Sequence, residues 1–205
     1  LGVPLGILSA IKQDSLPDYL SRFFAIMFLA VPNFWLGLLV LLVGASVFNW
    51  MPPAGTNHLW EHPMENLKQT IWPVLILASS SMAVLARMTR STMLEVLRDD
   101  YIRTARSKGL TERTVLIRHA LRNALIPVVT IIGLSFAHLL AGSVVMERVF
   151  SIPGVGLFFI TSITRQDYPM IQGVVFVIAV SFVFVNLLVD LLYGLMDPRI
   201  SYADR

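Results

Sequence analysis

Long apolar stretches alternate with short charged ones along this chain. Phe23–Phe48 contains no ionisable residue, and Gln69–Ala86 lies between Lys68 and Arg87. Asn123–Met146 runs from Arg122 to Glu147 with only His138 inside, and Tyr168–Val189 follows Asp167 and stops at Asp190. Each is near the ~20 residues an α-helix needs to cross a hydrocarbon core, where a helix satisfies its own backbone. The pattern therefore predicts transmembrane helices over 23–48, 69–86, 123–146 and 168–189. The opening run, Leu1 to Ile11, is too short to cross ~30 Å at ~1.5 Å per residue. It reads as the tail (1–11) of a helix whose beginning is missing, so the chain is expected to be N-terminally incomplete. Pro32 is expected to kink the first full span. Ser79, Ser80 and Ser81 suit close helix packing rather than substrate contact.

A basic polar segment, 87–122, separates the second and third spans. It holds nine basic residues (Arg87, Arg90, Arg98, Arg103, Arg106, Lys108, Arg113, Arg118 and Arg122) against four acids, Glu95, Asp99, Asp100 and Glu112. A connector needs only a few residues; this segment has room for two helices. Leu94, Leu97, Tyr101 and Ala105 recur at helical spacing and predict one face of a helix from Ser91 to Lys108. Gly109 is placed to end it as a C′ glycine, with Lys108 at the favourable end of the dipole. Thr111 suits the N-cap of a second helix with Glu112 in its first turn. Val115, Leu116, His119, Ala120 and Asn123 form the semi-apolar face of that helix, and Pro127 lies early in the next span. Such a hairpin can lie on anionic lipid or dock onto a protein, and periodicity does not choose between them.

Composition agrees with a membrane protein. The residues are 56% hydrophobic and 14% charged, with a mean hydropathy of +0.71, whereas soluble domains are about a quarter charged. The net charge of +3 does not point to nucleic acid, because the basic residues lie between apolar runs. Of the 16 Lys and Arg, only Lys68, Arg148 and Arg165 lie outside 12–22, 87–122 and 199–205. The positive-inside rule then puts 87–122 and the C-terminus in the cytoplasm. Trp50, Trp60, Trp72 and Tyr168 sit at span ends, as interfacial aromatics do, and Trp35 is the exception. With no cysteine, neither disulfides nor thiolate metal sites are available. Asn33, Ser135, His138 and Asn186 are polar groups inside spans and are candidates to line a path. They are equally candidates for helix–helix glue. Asp190 lies just past the last span. His58 and His62, with Glu61 and Glu65, form the only near-cluster of metal-ligating types, but Pro52, Pro53 and Pro63 oppose a regular helix there. A membrane-embedded enzyme is thus disfavoured, and no metal site is expected. An ion-coupled secondary transporter or channel is the other competing function; it is expected to carry more intramembrane charge and internal repeats.

Three blocks after Arg87 carry a resemblance. Asp100–Leu110 (DYIRTARSKGL) continues into Arg118–Pro127 (RHALRNALIP). Glu147–Gly156 (ERVFSIPGVG) is followed by Asp167-Tyr168-Pro169 and Ile171-Gln172-Gly173. Asn186–Tyr193 (NLLVDLLY) leads to Asp197-Pro198-Arg199-Ile200. In this order they resemble the binding-protein-dependent inner-membrane permease subunits of ATP-binding-cassette importers, specifically the dipeptide, oligopeptide and nickel group. The first block is similar to that group's version of the cytoplasmic "EAA" loop. Arg103 stands where many permeases carry the Glu of EAA, Thr104 replaces the first Ala, and Arg122 stands near where others carry a first Leu-Pro. A salt-bridge role for an EAA glutamate is therefore inapplicable here.

The resemblance implies an all-α, polytopic, MetI-like permease fold, with 1–205 forming a single transmembrane domain. It implies a non-catalytic subunit that pairs with a second homologous permease and with two cytoplasmic ATPases, and that receives substrate from an extracytoplasmic binding protein. ATP and magnesium would belong to the ATPases, and no cofactor to this chain, which has no phosphate-binding GxxxxGK[ST] loop. Tyr101, Arg103, Thr104, Ala105, Arg106, Lys108 and Gly109 are the residues implied to couple to the ATPase. Phe150, Pro153, Gly154 and Gly156 belong to an outer loop that is either a re-entrant turn or a tight connector, and the resemblance favours the re-entrant turn. The implied cargo is a peptide, or a related small solute such as nickel.

Overall fold

The computed structural model describes residues 1–53, 55 and 58–196; the C-terminal block Asp197-Pro198-Arg199-Ile200 lies outside them. Among the described residues, regular structure is entirely helical: α1 (Gly2–Ile11), α2 (Leu16–Ala30), α3 (Asn33–Val47), α4 (Pro63–Leu97), α5 (Asp100–Ser107), α6 (Glu112–Val149), α7 (Val155–Thr164) and α8 (Tyr168–Met196). Three of these are long and apolar enough to cross a membrane: α4, α6 and the Tyr168–Leu191 stretch of α8. Side chains of α8 are exposed on several faces, as with the consecutive Val175 at 49%, Phe176 at 70% and Val177 at 55%. A helix apolar all round belongs in lipid or a protein core.

First, the chain bends sharply where a kink at Pro32 is expected, and one other boundary differs from the sequence expectation. The charge-free stretch 23–48 is not one straight helix: α2 and α3 meet at a bend of 95°. Pro32 causes it, since proline disfavours helical backbone at the preceding Val31, and Pro32 itself is extended (φ −62°, ψ 136°) at the start of α3. The pair passes as a span only when taken together. Secondly, the apolar run 69–86 and the polar helix expected from Ser91 are one continuous helix. At 35 residues, α4 is about 52 Å long, well beyond a hydrocarbon core. The polar-segment helix then breaks at Arg98–Asp99 instead of continuing to Lys108.

The chain folds as two compact units, one built from Leu1–Met27, Met82–Ser135 and the stretch after Phe184, the other from Phe28–Ser81 and Phe136–Val183. In the first, Ala10, Met93, Ile102, Ala105, Val115, Ala120 and Ala124 form a buried core. It joins α1 to the end of α4, to α5 and to the start of α6. In the second, Ile76, Met146 and Phe150 are buried with Leu36, Val40 and Val149 around them. A Cβ on Gly37 would stand 3.2 Å from both Phe150 and Val149, so α3 approaches this cluster closely.

Candidate functional site

The polar segment between α4 and α6 is built by local rules. Turn bonds from the N–H groups of Arg98 and Asp99 to the carbonyls of Glu95 and Val96 (3.1 Å each) end α4. Asp99 then takes extended backbone as the N-cap of α5. Asp100 in the first turn and Arg106 in the last complement the dipole of this eight-residue helix. Gly109 closes it with φ +77°, a conformation glycine adopts without cost. Its N–H donates to the Arg106 carbonyl at 2.9 Å, and Leu110 N–H donates to the Ala105 carbonyl at 3.4 Å. Those two bonds make the full Schellman termination. Thr111 is the N-cap of α6, as its type suggested, though its hydroxyl meets that of Thr114 (2.9 Å) instead of a backbone N–H.

The two helices are then tied together. The Arg106 guanidinium donates to both Glu112 oxygens, at 3.2 and 2.7 Å. That hydrogen bonding, ahead of the opposing effect of burial, holds the Glu112 carboxyl below its usual range and raises Arg106. The first turns of α6 are widened into a π segment, Val115–Leu121, a form often found at functional sites. Asn123 donates to the Tyr101 hydroxyl at 2.8 Å, and Tyr101 donates to the His119 carbonyl at 3.4 Å. Tyr101 thereby pins α5 against the π segment. Arg103 and Asp100 pair at 3.4 Å with both side chains largely in solvent, which is worth little.

The structure sorts the seven candidate coupling residues. Tyr101, Arg103, Thr104, Arg106, Lys108 and Gly109 are exposed, and together they form a small basic surface on a short helix with a Schellman C-terminus. Ala105 is turned inward with Ile102, whose side chain is fully buried. The inward face is thus Ile102 and Ala105. Of the face expected of one helix, Leu94, Leu97 and Ala105 pack on the core, whereas past the break at Arg98–Asp99 it is Ile102 that is buried, and Tyr101 stays partly exposed with its hydroxyl bonded to the π segment.

The candidate path residues are not drawn together by hydrogen bonds among the described residues. Asn33, at the start of α3, donates to the Ser80 hydroxyl at 3.3 Å. Ser135 bonds back to the Ile131 carbonyl of its own helix at 2.7 Å, the usual resort of a helical serine. His138 is exposed, and Asn186 is half-buried. The apolar cavity of about 640 Å³ lined by α3, Trp50 and Trp72 has no charged side chain in its wall, so it does not suit a peptide's charged ends. His58 stacks on Trp60 with ring centroids 4.9 Å apart. Among the described residues no three His, Asp or Glu side chains gather around a potential metal site.

The outer-loop residues do form one feature. Phe150 is 4% exposed within the second core. After Pro153 the chain turns into α7, a ten-residue apolar helix of about 15 Å. Gly154 and Gly156 let it pack tightly. A Cβ on Gly154 would sit 2.3 Å from the Glu147 carboxyl carbon, and one on Gly156 would sit 2.6 Å from Val144 Cα. Glu147 accepts from Leu157 N–H at 2.8 Å and so caps α7. Sequence reasoning missed this cap, although a glutamate seven residues before a Gly-x-Gly helix start was its visible trace.

A second omission is larger. Asp18, on the first turn of α2, has no exposed side-chain surface. Arg90 of α4 grips both its oxygens, Nε to Oδ1 at 2.7 Å and Nη2 to Oδ2 at 2.9 Å. The Ser9 hydroxyl and the Asp14 N–H (3.0 Å) also donate to it, and Arg22 lies 3.6 Å away.

A family model of the binding-protein-dependent transport system inner membrane component matches residues 2–202. The chain belongs to this family. Like other inner membrane components it is a multi-pass membrane protein, and its helical architecture agrees. Several relatives cover 98% of the chain. A dipeptide transport system permease protein of Alkalihalophilus pseudofirmus is 42% identical, with 67% of its own length covered. An oligopeptide transport system permease protein of Bacillus subtilis is 44% identical, with 65% covered. A dipeptide transport system permease protein of Escherichia coli is 40% identical, with 66% covered. The chain thus spans about two thirds of the length of the relatives it matches.

Proposed function

We propose that this inner membrane component is the non-catalytic permease subunit of an ATP-driven peptide importer, and that α5 is the helix it inserts into a cytoplasmic ATPase. The observation that carries the reading is α5 itself: short, closed by a Schellman turn at its C-terminus, seated on a buried core, and presenting six exposed candidate contacts. A rigid helix of this kind loses little conformational freedom on docking. Arg103, Arg106 and Lys108 suit an acidic cleft. The names of the relatives favour di- and oligopeptides as cargo. A second homologous permease, two ATPases carrying ATP and magnesium, and an extracytoplasmic binding protein complete the assembly, and lipid covers the exposed apolar faces. Arg103 contacts the ATPase directly, in place of the glutamate found in other permeases.

Affinity purification of the full-length protein from native membranes in mild detergent tests the reading. The expected result is co-recovery of a second permease and ATPase subunits, with hydrolysis stimulated by a dipeptide and its binding protein. Recovery of this chain alone would instead favour a basic hairpin on anionic lipid in an ion-coupled transporter or channel. The orientation has its own test, helped by the absence of native cysteine. A membrane-impermeant maleimide is expected to label E61C in intact spheroplasts and S107C only after permeabilisation. The opposite pattern would invert the topology and remove α5 from the cytoplasm.

A further inference from the structure

We propose that Asp18 is a positioning residue for transport: the joint through which displacement of the α5 segment is carried into α1 and α2. The inference rests on the importer reading and goes beyond it, because Asp18 lies on neither α5 nor the candidate path. Its carboxylate is the meeting point of three helices. It belongs to α2, Ser9 reaches it from α1, and Arg90 holds it bidentately from α4. The Asp14 N–H adds a bond from the α1–α2 turn. Arg90 stands one turn before Met93 on the same helix. Met93 is fully buried in the core that also contains Ile102 and Ala105 of α5. A continuous run of rigid contacts therefore leads from α5 through Met93 and Arg90 to Asp18 and Ser9.

An ion pair is suited to this task where apolar contact is not. Apolar burial is non-directional, so apolar contact alone does not fix the register of helices that slide past one another. A planar guanidinium locked onto both oxygens of a buried carboxylate resists sliding in either direction. Separating the two would leave the fully buried Asp18 carboxylate without its bidentate partner, with only Arg22 at 3.6 Å and two hydrogen bonds to offset its charge, so the pair stays closed while its helices move. A pull on the end of α4 then takes α1 and α2 with it.

The test uses the complete importer in proteoliposomes, with dipeptide uptake and ATP hydrolysis measured on the same preparation. Asp18→Asn keeps the side-chain shape but removes the charge and one pair of acceptor sites. Peptide moved per ATP hydrolysed is expected to fall at least about fivefold, the low end of usual coupling effects, while hydrolysis stays within about twofold of the parent. A proportional fall in both rates would mark a merely structural role and overturn the proposal, as would no change in either. Should Asp18→Asn prevent assembly, Ser9→Ala decides: it removes one donor and leaves the Arg90 pair. There the ratio is expected to fall by about twofold, and an unchanged ratio overturns the joint. A parent preparation without ATPase subunits or peptide-stimulated hydrolysis would overturn the importer reading itself. An intact parent with unaffected variants would overturn the role of Asp18 alone.

Discussion

Removing Asp100–Leu110 from the full-length protein is expected to abolish peptide uptake while leaving the protein in the membrane. The spans that set insertion lie outside the deleted stretch, on α4, α6 and α8, so membrane abundance should hold. The deletion takes away the whole of α5 together with its Gly109 termination, and with them every exposed contact proposed for the ATPase. Uptake of a labelled dipeptide should drop by roughly 100-fold, near the upper end of site-to-site coupling, and the ATPases should no longer co-purify. The deletion also removes the buried side chains of Ile102 and Ala105, so a milder variant separates docking from packing. Gly109→Val puts its side chain into open space, because nothing lies within 4 Å of a Cβ there. It disturbs only the backbone, at a cost of roughly 1–2 kcal/mol for a left-handed residue that is not glycine. Uptake should therefore fall several-fold with the core intact. Unimpaired uptake after the deletion would end the docking role of α5.

What could be read from the sequence in this segment was what depends on neighbouring residues. Gly109 and Thr111 announce a helix end and a helix start through their own backbone preferences, and the structure places both there. The acid–base pair that closes the turn, Arg106 with Glu112, also spans few residues. The break at Arg98–Asp99 was not legible, because Leu94, Leu97, Tyr101 and Ala105 still fit one helical period across it. Only the tertiary core shows that Ile102 is the residue turned inward. Pro32 signalled a bend, but a proline does not encode its size of 95°. The Asp18–Arg90 pair lay beyond reach for another reason: its partners are 72 positions apart, and nothing local distinguishes Asp18 from a solvated acid. The chain's first residues were the most under-read. Gly2 and Gly6 stand in a G-x-x-x-G spacing, the pattern of close helix approach in membranes, a signal that the length of Leu1–Ile11 does not carry.

That spacing carries the second large effect: Gly6→Val is expected to pull α1 off α4 and to destabilise the first unit. A Cβ at Gly6 would lie 2.6 Å from the Ala86 carbonyl oxygen, 2.6 Å from Thr89 Cβ and 3.1 Å from the Arg90 nitrogen. Gly2 meets α4 in the same way, 2.8 Å from the Met82 carbonyl oxygen. Backbone atoms of a long helix cannot yield by several tenths of an ångström, so α1 has to move as a whole. Ser9 and Ala10 follow within one turn. The movement withdraws the Ser9 hydroxyl from Asp18 and a fully packed alanine from the core around Met93. Overpacking of this kind costs about 1–3 kcal/mol, which corresponds to a thermal midpoint lower by roughly 2–12 °C in a chain of this size. Gly173→Ala on α8 is the matched control, because a Cβ there meets nothing within 4 Å and alanine is the better helix former. In detergent, Gly173→Ala should unfold at the parent temperature or slightly above it, and Gly6→Val well below. Equal midpoints for the two would mean that α1 does not lie against α4 at its glycines, and the Ser9 contact to Asp18 would fall with it.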